Sequence, residues 1–237
     1  YSKGKLAAEE GKTVIEIPEF KYPTWAIDSV HLKRPLTEKD FALAAPNLRE
    51  VTANVIGVIE NQAPTRHLRV KLEVQQNELH PDLERDIAKV ALVERHKATG
   101  DVQIGLVHGF GFNTSCAVAS TVAHDSHHMI VVGADEKDMA LAANQLAKIG
   151  GGQVAGKAGQ VIGQVALPIA GLMSNLPAGK VAAQAASVLE GFRACGCNLN
   201  NPNMQLSLLA LVVIPELRIS DLGLIDVTHF KKIPVIE

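Results

Sequence analysis

The chain has 237 residues, of which 47% are hydrophobic and 20% are charged, and its formal net charge is −2. Such a composition can bury a sizeable core, so we expect a soluble globular protein made of one large domain or of a domain and a piece of another. The near-neutral charge excludes nucleic acid and anionic membranes as expected partners, and no apolar run approaches the roughly 20 residues that span a bilayer.

Two features of the chain indicate its compartment. It starts at Tyr1, so we expect a piece of a longer protein, and the ordered basic, apolar and small residues of a signal peptide are missing. A cytoplasmic location is therefore expected. The chain has three cysteines, Cys116, Cys195 and Cys197. Their number is odd and their spacing is not that of a disulfide framework, which favours reduced thiols. Cys195 and Cys197 would supply at most half of a metal site.

The N-terminal residues predict a hairpin followed by a domain boundary. Two short strands are expected at residues 3–8 and 13–17, because Gly11 can supply the positive φ of the intervening turn. Thr37 and Asp40 have the spacing of a capping box and predict a short helix before a proline. We expect the boundary near residues 35–45 and place it between residues 37 and 38.

Beyond this boundary, strands dominate the first half of the chain. Segments rich in Val, Ile and Leu and separated by turn residues predict four strands, at residues 51–60, 66–75, 87–96 and 101–110.

Two main helices are predicted in the second half. The first runs from about Glu136 to Ile149, with Asp135 as its N-cap, a strand on either side and glycines at its end. The second covers roughly residues 177–193 and starts with a proline. The fold class is therefore α+β, a mixed α/β arrangement with a sheet-rich domain at residues 38–237.

Glycines are concentrated at residues 150–163, where a phosphate-binding loop has to be considered. Such a loop lies between a strand and the N-terminus of the next helix, whereas this run follows a helix. We interpret it as a C-cap and flexible turns. There is also no Gly-x-Ser-x-Gly motif for a nucleophilic serine.

The stretch HDSHH at residues 124–128 is the most conspicuous polar cluster. On a helix, His124 and His128 would share a face like a pair of zinc ligands, but the glutamate of His-Glu-x-x-His is missing. On a strand the cluster would be split between two faces. A loop before the strand Met129–Gly133 lets more of these side chains converge.

Two uses of this loop stay open on the residues alone. Histidine in general can exchange a proton near neutral pH and a neighbouring carboxylate can fix its tautomer, so the pair His124 and Asp125 could move protons. Alternatively, the loop is structural and its histidines only cap backbone groups.

Several long motifs resemble the C-terminal region of bacterial adenine deaminases. Their order and spacing match as well, and the similarity covers nearly the whole chain. The motifs are VERHKATG at Val93–Gly100, GFG at Gly109–Gly111, VAHDSHHMIVVG at Val122–Gly133, LPIAGLMS at Leu167–Ser174 and LALVVIPELRISDLGLIDV at Leu209–Val227. SKGKLAAEEGK, near the N-terminus, is similar to strands that follow the catalytic barrel in the amidohydrolase superfamily. This implies that residues 1–37 belong to a small β-sandwich.

The resemblance implies hydrolysis of adenine to hypoxanthine and ammonia at a binuclear manganese or iron centre. In the family a barrel that begins with His-x-His holds the metals, and this chain has no His-x-His. The metal ligands are therefore expected upstream, and this segment alone is expected to be inactive. The chain also lacks the His-x-Glu and Pro-Cys-x-x-Cys elements of zinc nucleobase deaminases.

From the resemblance, four residues are carried over as candidates that face or close the active site: His124, Asp125, Ser126 and His127. The family motif has Asn at the next position, where this chain has His128, so no function is carried over there. The expected partners are adenine, the upstream barrel and a second copy in a homodimer. The alternative function is an autonomous, non-catalytic dimerisation or ligand-binding module.

Overall fold

The computed structural model describes residues 1–16, 18 and 20–237. Its helices are α1 (Thr24–Ile27), α2 (Glu136–Lys148), α3 (Ala178–Ala194) and α4 (Pro202–Leu208), with 3₁₀ turns at Glu38–Phe41 and Leu83–Arg85. Its strands are β1 (Ala8–Glu9), β2 (Lys12–Thr13), β3 (Leu43–Ala44), β4 (Glu50–Val58), β5 (Thr65–Glu73), β6 (Glu78–Leu79), β7 (Ile87–Val93), β8 (Val102–His108), β9 (Cys116–Ser120), β10 (Met129–Gly133), β11 (Gly152–Lys157), β12 (Gln160–Ala166), β13 (Leu217–Ser220), β14 (Gly223–Asp226) and β15 (Lys231–Ile233).

An eight-stranded sheet forms the centre of the fold. Its strand order is β12-β11-β9-β10-β7-β8-β4-β5, and every neighbouring pair is antiparallel except β4 and β8. A three-stranded meander, β13-β14-β15, and two small two-stranded sheets, β1-β2 and β3-β6, complete the strands. The α+β class is confirmed.

The central sheet is buried on both faces. Strand β7 shows this most clearly, because all seven of its residues are buried and they alternate between the two sides. On one face α3 and the meander pack around Val188, Phe192 and Leu224. On the other face α2 packs through Met139 and Leu146. No helix in the described part of the chain is long and apolar enough to cross a bilayer.

The predicted helix after residue 135 is confirmed together with its cap. The Asp135 carboxylate accepts hydrogen bonds from the backbone N–H groups of Lys137 and Asp138, both at 3.0 Å. These bonds satisfy donors that would otherwise be left free at a helix N-terminus, and the negative charge lies at the positive end of the helix. The capping pair at residues 37 and 40 also forms, since the Asp40 carboxylate accepts from the Thr37 N–H at 2.7 Å.

The four predicted strands of the first half are confirmed as β4, β5, β7 and β8, each somewhat shorter than expected. The N-terminal hairpin is also present, but only Ala8–Glu9 and Lys12–Thr13 pair. The predicted end of its second strand, Ile17, lies outside the described residues. The division between residues 37 and 38 and the β-sandwich stay predictions. Leu36 and Phe41, on either side of the division, share one core cluster.

The interpretation of the glycine run as a C-cap and flexible turns is confirmed only in part, since Gly159 does lie in the turn between β11 and β12. Gly150 and Gly151 do follow α2, but Gly152 starts β11, and Gly163 lies inside β12. A side chain at residue 163 would meet the backbone carbonyl of Ser187 in α3 at 2.2 Å. Glycine at this position therefore permits a helix to lie directly on an edge strand.

Several elements were not predicted, among them β9, α4, the strand β12 and the meander β13-β14-β15. Strand β9 is made of small residues, CAVAS, and is completely buried between β10 and β11, so it lacks both the alternation and the bulky side chains of an obvious strand. Helix α4 has only seven residues. The three cysteines are free, as predicted, and all three are buried.

Candidate functional site

The HDSHH stretch forms a loop between β9 and β10, as predicted. Asp125 and Ser126 are exposed, His124 and His127 are partly buried, and His128 is buried at the start of β10. The two outer ends of the loop are therefore fixed in the central sheet. Its middle presents polar side chains to the surface.

Hydrogen bonds within the loop hold the ring of His127. The backbone N–H of Ala123 donates to His127 Nδ1 at 3.2 Å, and the His127 N–H donates to the Ala123 carbonyl at 2.8 Å. Because Nδ1 accepts a hydrogen bond, the proton of the neutral ring is on Nε2. The His124 ring lies edge-on to this ring, with 5.3 Å between centroids.

Burial, the neighbouring His124 and the Arg95 guanidinium lower the pKa of His127, and Asp125 opposes them only in part. His127 is therefore neutral at pH 7 and presents an N–H donor at Nε2. A neutral imidazole with a fixed tautomer can donate a hydrogen bond to a heterocyclic nitrogen or oxygen.

Arg95 connects this loop to two distant segments. Its Nε donates to the His127 carbonyl at 2.6 Å, one terminal nitrogen to the Ser29 carbonyl at 2.6 Å, and the other to the Ala170 carbonyl at 3.1 Å. The side chain is only 1% exposed, and burial lowers its pKa to about 10. Arg95 thus stays charged at neutral pH and binds three separate stretches of main chain.

Glu94 organises the loop that follows β7. Its carboxylate accepts from the backbone N–H groups of His96 at 2.5 Å, Lys97 at 2.8 Å and Thr99 at 3.0 Å. Burial by itself would raise the pKa of Glu94, but these three hydrogen bonds lower it overall. The ring of His96 is thereby placed so that its Nε2 lies 2.9 Å from the Ser126 carbonyl.

His128 occupies a polar environment without a complete set of partners. Its ring lies 4.8 Å from that of His96, centroid to centroid, and its Nδ1 is buried with no hydrogen-bond partner among the described residues. Burial lowers the pKa of His128, and the nearby His96 lowers it further. A protonated His128 would therefore be unfavourable in the folded protein.

The four predicted residues, 124–127, lie next to one another, and hydrogen bonds connect their loop to segments in or beside three other motifs, those at residues 93–100, 167–174 and 209–227. Arg95 and His96 contact the loop directly, and Thr121, which precedes it, donates to the Gly171 carbonyl at 2.6 Å. The His124 N–H donates to the carbonyl of Ser207, which lies two residues before the motif at Leu209–Val227. Over the described residues, no hydrogen bond joins the side chains of His124 and Asp125. The catalytic use of these residues stays a prediction.

Glu94, Arg95 and His96 were part of a recognised motif, but no function was assigned to them from the sequence. A signal did exist, because three polar residues follow directly after the strand 87–93, which is apolar apart from Lys89. Such a position often marks polar groups presented at a sheet edge. The sequence does not show which loop these three residues would hold.

The described residues do not provide a metal centre. Within residues 1–16, 18 and 20–237, no three side chains of His, Cys, Asp or Glu are grouped so that they could hold a metal ion. The histidines of the loop are engaged with neighbouring rings and main chain, and His127 uses one ring nitrogen as an acceptor. This side-chain set does not fit a binuclear metal site.

The sequence of this chain is similar to those of known proteins over its whole length. Residues 62–231 match the family model of the adenine deaminase C-terminal domain. The chain is 56% identical over 237 residues to an adenine deaminase of Ruegeria sp. (strain TM1040), covering all of this chain and 39% of that protein. It is 53% identical over 236 residues to adenine deaminase 3 of Rhizobium meliloti (strain 1021), covering 100% of this chain and 40% of that protein.

A more distant relative gives the same picture. The adenine deaminase of Moorella thermoacetica (strain ATCC 39073 / JCM 9320) is 45% identical over 234 residues, which cover 98% of this chain and 39% of the relative. The chain thus spans about two-fifths of the length of the curated relatives that it matches.

Proposed function

Because this chain belongs to the adenine deaminase C-terminal domain family, we propose that it is the C-terminal portion of an adenine deaminase. The complete enzyme would hydrolyse adenine to hypoxanthine and ammonia. One observation carries the proposal beyond family membership: the loop at residues 124–128 is held by Arg95 and His96 while its central side chains remain accessible.

The reaction defines what these side chains would do. Water adds its oxygen to the ring carbon that bears the amino group, that carbon loses its bond to nitrogen, and ammonia leaves after the nitrogen gains a proton. Proton transfers of this kind are accelerated by positioned histidine and carboxylate groups. We assign the proton transfers to His124 and Asp125, and a hydrogen bond to the purine to the Nε2–H of His127. Ser126 lies between them and closes the site.

A divalent metal, manganese or iron in a binuclear centre, would supply the hydroxide in the complete enzyme. Its ligands would lie on the upstream barrel, since the described residues hold no suitable cluster. On this proposal the present segment alone is inactive towards adenine. It would contribute polar groups of the loop at residues 124–127 to the active site.

The remaining expectations follow from the same proposal. Adenine is the small-molecule substrate, the upstream barrel is the partner of this segment, and two copies of the enzyme form a homodimer. The enzyme would act in purine salvage in the cytoplasm.

The test is adenine deamination by the full-length protein and its variants. Asp125→Asn and His124→Ala should each lower kcat/KM by at least about tenfold, at the low end of measured acid–base contributions. Bound metal should stay unchanged, because neither residue is assigned as a ligand. Adenine turnover and metal content are measured on the same preparations.

A matched control is available in another turn of the protein. His229 and Asp226 are also a histidine and a carboxylate close together in the chain, although here the two side chains are hydrogen-bonded, with 2.8 Å between Nδ1 and Oδ2. His229→Ala should leave kcat/KM within about twofold of the parent. If the full-length parent does not deaminate adenine, the proposed function is wrong. If the parent is active but the variants at residues 124 and 125 match the control, the loop is structural.

A further inference from the structure

An apolar surface lies beside the candidate site. We call it the apolar edge and define it by Phe20, Tyr22, Trp25, Ile27, Met173 and Leu176, all of which are exposed. Trp25 is 78% exposed and Met173 is 60% exposed. Single exposed apolar residues are ordinary, but a contiguous group of large ones usually marks an interface.

The residues of the apolar edge come from two segments that are joined to each other. The backbone N–H of Ala170 donates to the Ala26 carbonyl at 2.6 Å, which fixes α1 against the turn that carries Met173. Ala26 is buried in this contact while its neighbour Trp25 points to solvent. The geometry of α1 therefore presents the tryptophan outward.

Arg95 links the apolar edge to the polar loop. The same guanidinium that binds the His127 carbonyl also binds Ser29, just after α1, and Ala170, in the turn before Met173. Gly171 fits against this guanidinium, because a Cβ there would lie 3.0 Å from it. The polar loop and the apolar edge are thus held as one unit.

Exposure of the apolar edge is costly in water. Burying an aromatic side chain removes roughly 150–250 Å² from solvent, and removal of apolar surface from water is favourable. Covering Trp25 and its neighbours would therefore favour association, against the entropy cost of ordering the two surfaces. Nothing among the described residues covers them.

We propose that the apolar edge is the docking surface for the part of the longer polypeptide that this chain does not contain. The relatives are about two and a half times as long as the region that matches, since 39% of their length is covered. The occupant would present apolar side chains around a polar opening that receives residues 124–127. This inference rests on the proposed function, because it names the surface by which the loop reaches the active site.

The experiment is site-specific photocrosslinking in the full-length protein. A benzophenone amino acid replaces Trp25 in one variant and Met173 in a second. The control replaces Phe230, which is 84% exposed but lies in the turn between β14 and β15. The charge of Asp221 acts on His128, and Asp221 lies in the turn between β13 and β14. Successive turns of an antiparallel meander lie at opposite ends of it, so Phe230 is at the end away from Asp221.

We expect the probes at residues 25 and 173 to crosslink within one molecule, to peptides outside residues 1–237. The probe at residue 230 should give no such product. Crosslinks between two copies would overturn the proposal in favour of a dimer interface, and the absence of crosslinks at both positions would also overturn it. Since the readout does not depend on turnover, a crosslinked but adenine-inactive protein would contradict the proposed function and leave the docking surface standing.

Discussion

At the scale of single residues, Arg95 has the greatest structural influence on the candidate site. Its planar fork binds the main chain of residues 29, 127 and 170 at once. A lysine keeps the charge but cannot reproduce three directed hydrogen bonds from one plane. The three carbonyl groups left without this donor would be partly buried, and an unsatisfied, partly buried acceptor is costly.

Arg95→Lys should therefore lower the free energy of unfolding by about 2 to 4 kcal/mol. The exposed Arg66 provides the control, and Arg66→Lys should change the free energy of unfolding by no more than about 0.5 kcal/mol. Urea denaturation of both variants and the parent measures the difference. Equal stability of the two variants would show that the guanidinium fork is not what holds these segments.

His128 gives a prediction about pH. Burial and then His96 lower its pKa in the folded state, Arg95 acts in the same direction, and Asp221 and Glu94 oppose them. The unfolded chain therefore binds the proton more readily, so the stability that the neutral ring contributes is complete above about pH 6.5 and is lost as pH falls below it.

His128→Asn removes this titration, so the fall in the free energy of unfolding between about pH 7 and pH 5 should be smaller than in the parent. A residual slope from His127, whose pKa is also lowered, should remain. Chemical denaturation at a series of pH values gives both slopes. Equal slopes of the free energy of unfolding against pH in the parent and the variant would mean that His128 does not contribute to the pH dependence of stability. At neutral pH the variant should keep near-parental turnover in the full-length enzyme.

At the scale of elements, the contact between β12 and α3 depends on Gly163. A methyl group at this position would be 2.2 Å from the Ser187 carbonyl in the helix backbone. Neither the strand nor the helix can yield without moving main chain. Gly179, near the start of α3, has open space around it.

Gly163→Ala should therefore destabilise the protein by about 1 to 3 kcal/mol or more. Gly179→Ala should stabilise it by up to about 1 kcal/mol, because alanine favours the helix and narrows the unfolded ensemble. Thermal melts followed by circular dichroism measure the two shifts. Shifts of the same sign would contradict the packing described here.

At the scale of the whole molecule, the N-terminal hairpin and the central sheet differ most in burial. The strands β1 and β2 are exposed at every position, whereas β7, β9 and β10 are buried throughout. Amide hydrogens exchange according to the free energy of local opening, which is small where few apolar contacts hold the backbone.

In the isolated 237-residue chain, residues 1–16 should therefore exchange fastest, and β7, β9 and β10 should be the most protected. The same preparation should deaminate no adenine. Hydrogen exchange followed by mass spectrometry, with an ammonia-release assay, tests both points. Adenine turnover by this chain alone, with tightly bound manganese or iron, would contradict the proposed division between this segment and the barrel.

Some of this structure could be predicted from the sequence because its determinants are local. Helix α2 follows from the capping Asp135 and the apolar spacing after it, and both act within a few residues. The β4, β5, β7 and β8 strands follow from apolar runs between turn residues. The placement of HDSHH in a loop also followed from its immediate neighbours.

The rest was decided by contacts between distant residues. The parallel pairing of β4 with β8, and the small-residue strand β9 between two others, depend on how the whole sheet assembles. Arg95 meets residues 66 positions before it and 75 positions after it in the sequence. No local pattern specifies such partners, because the guanidinium's hydrogen bonds are chosen by the packed main chain around it. The sequence by itself determined the two main helices, four strands of the central sheet and the loop at residues 124–128, and only the tertiary structure decided what holds that loop and what lies beside it.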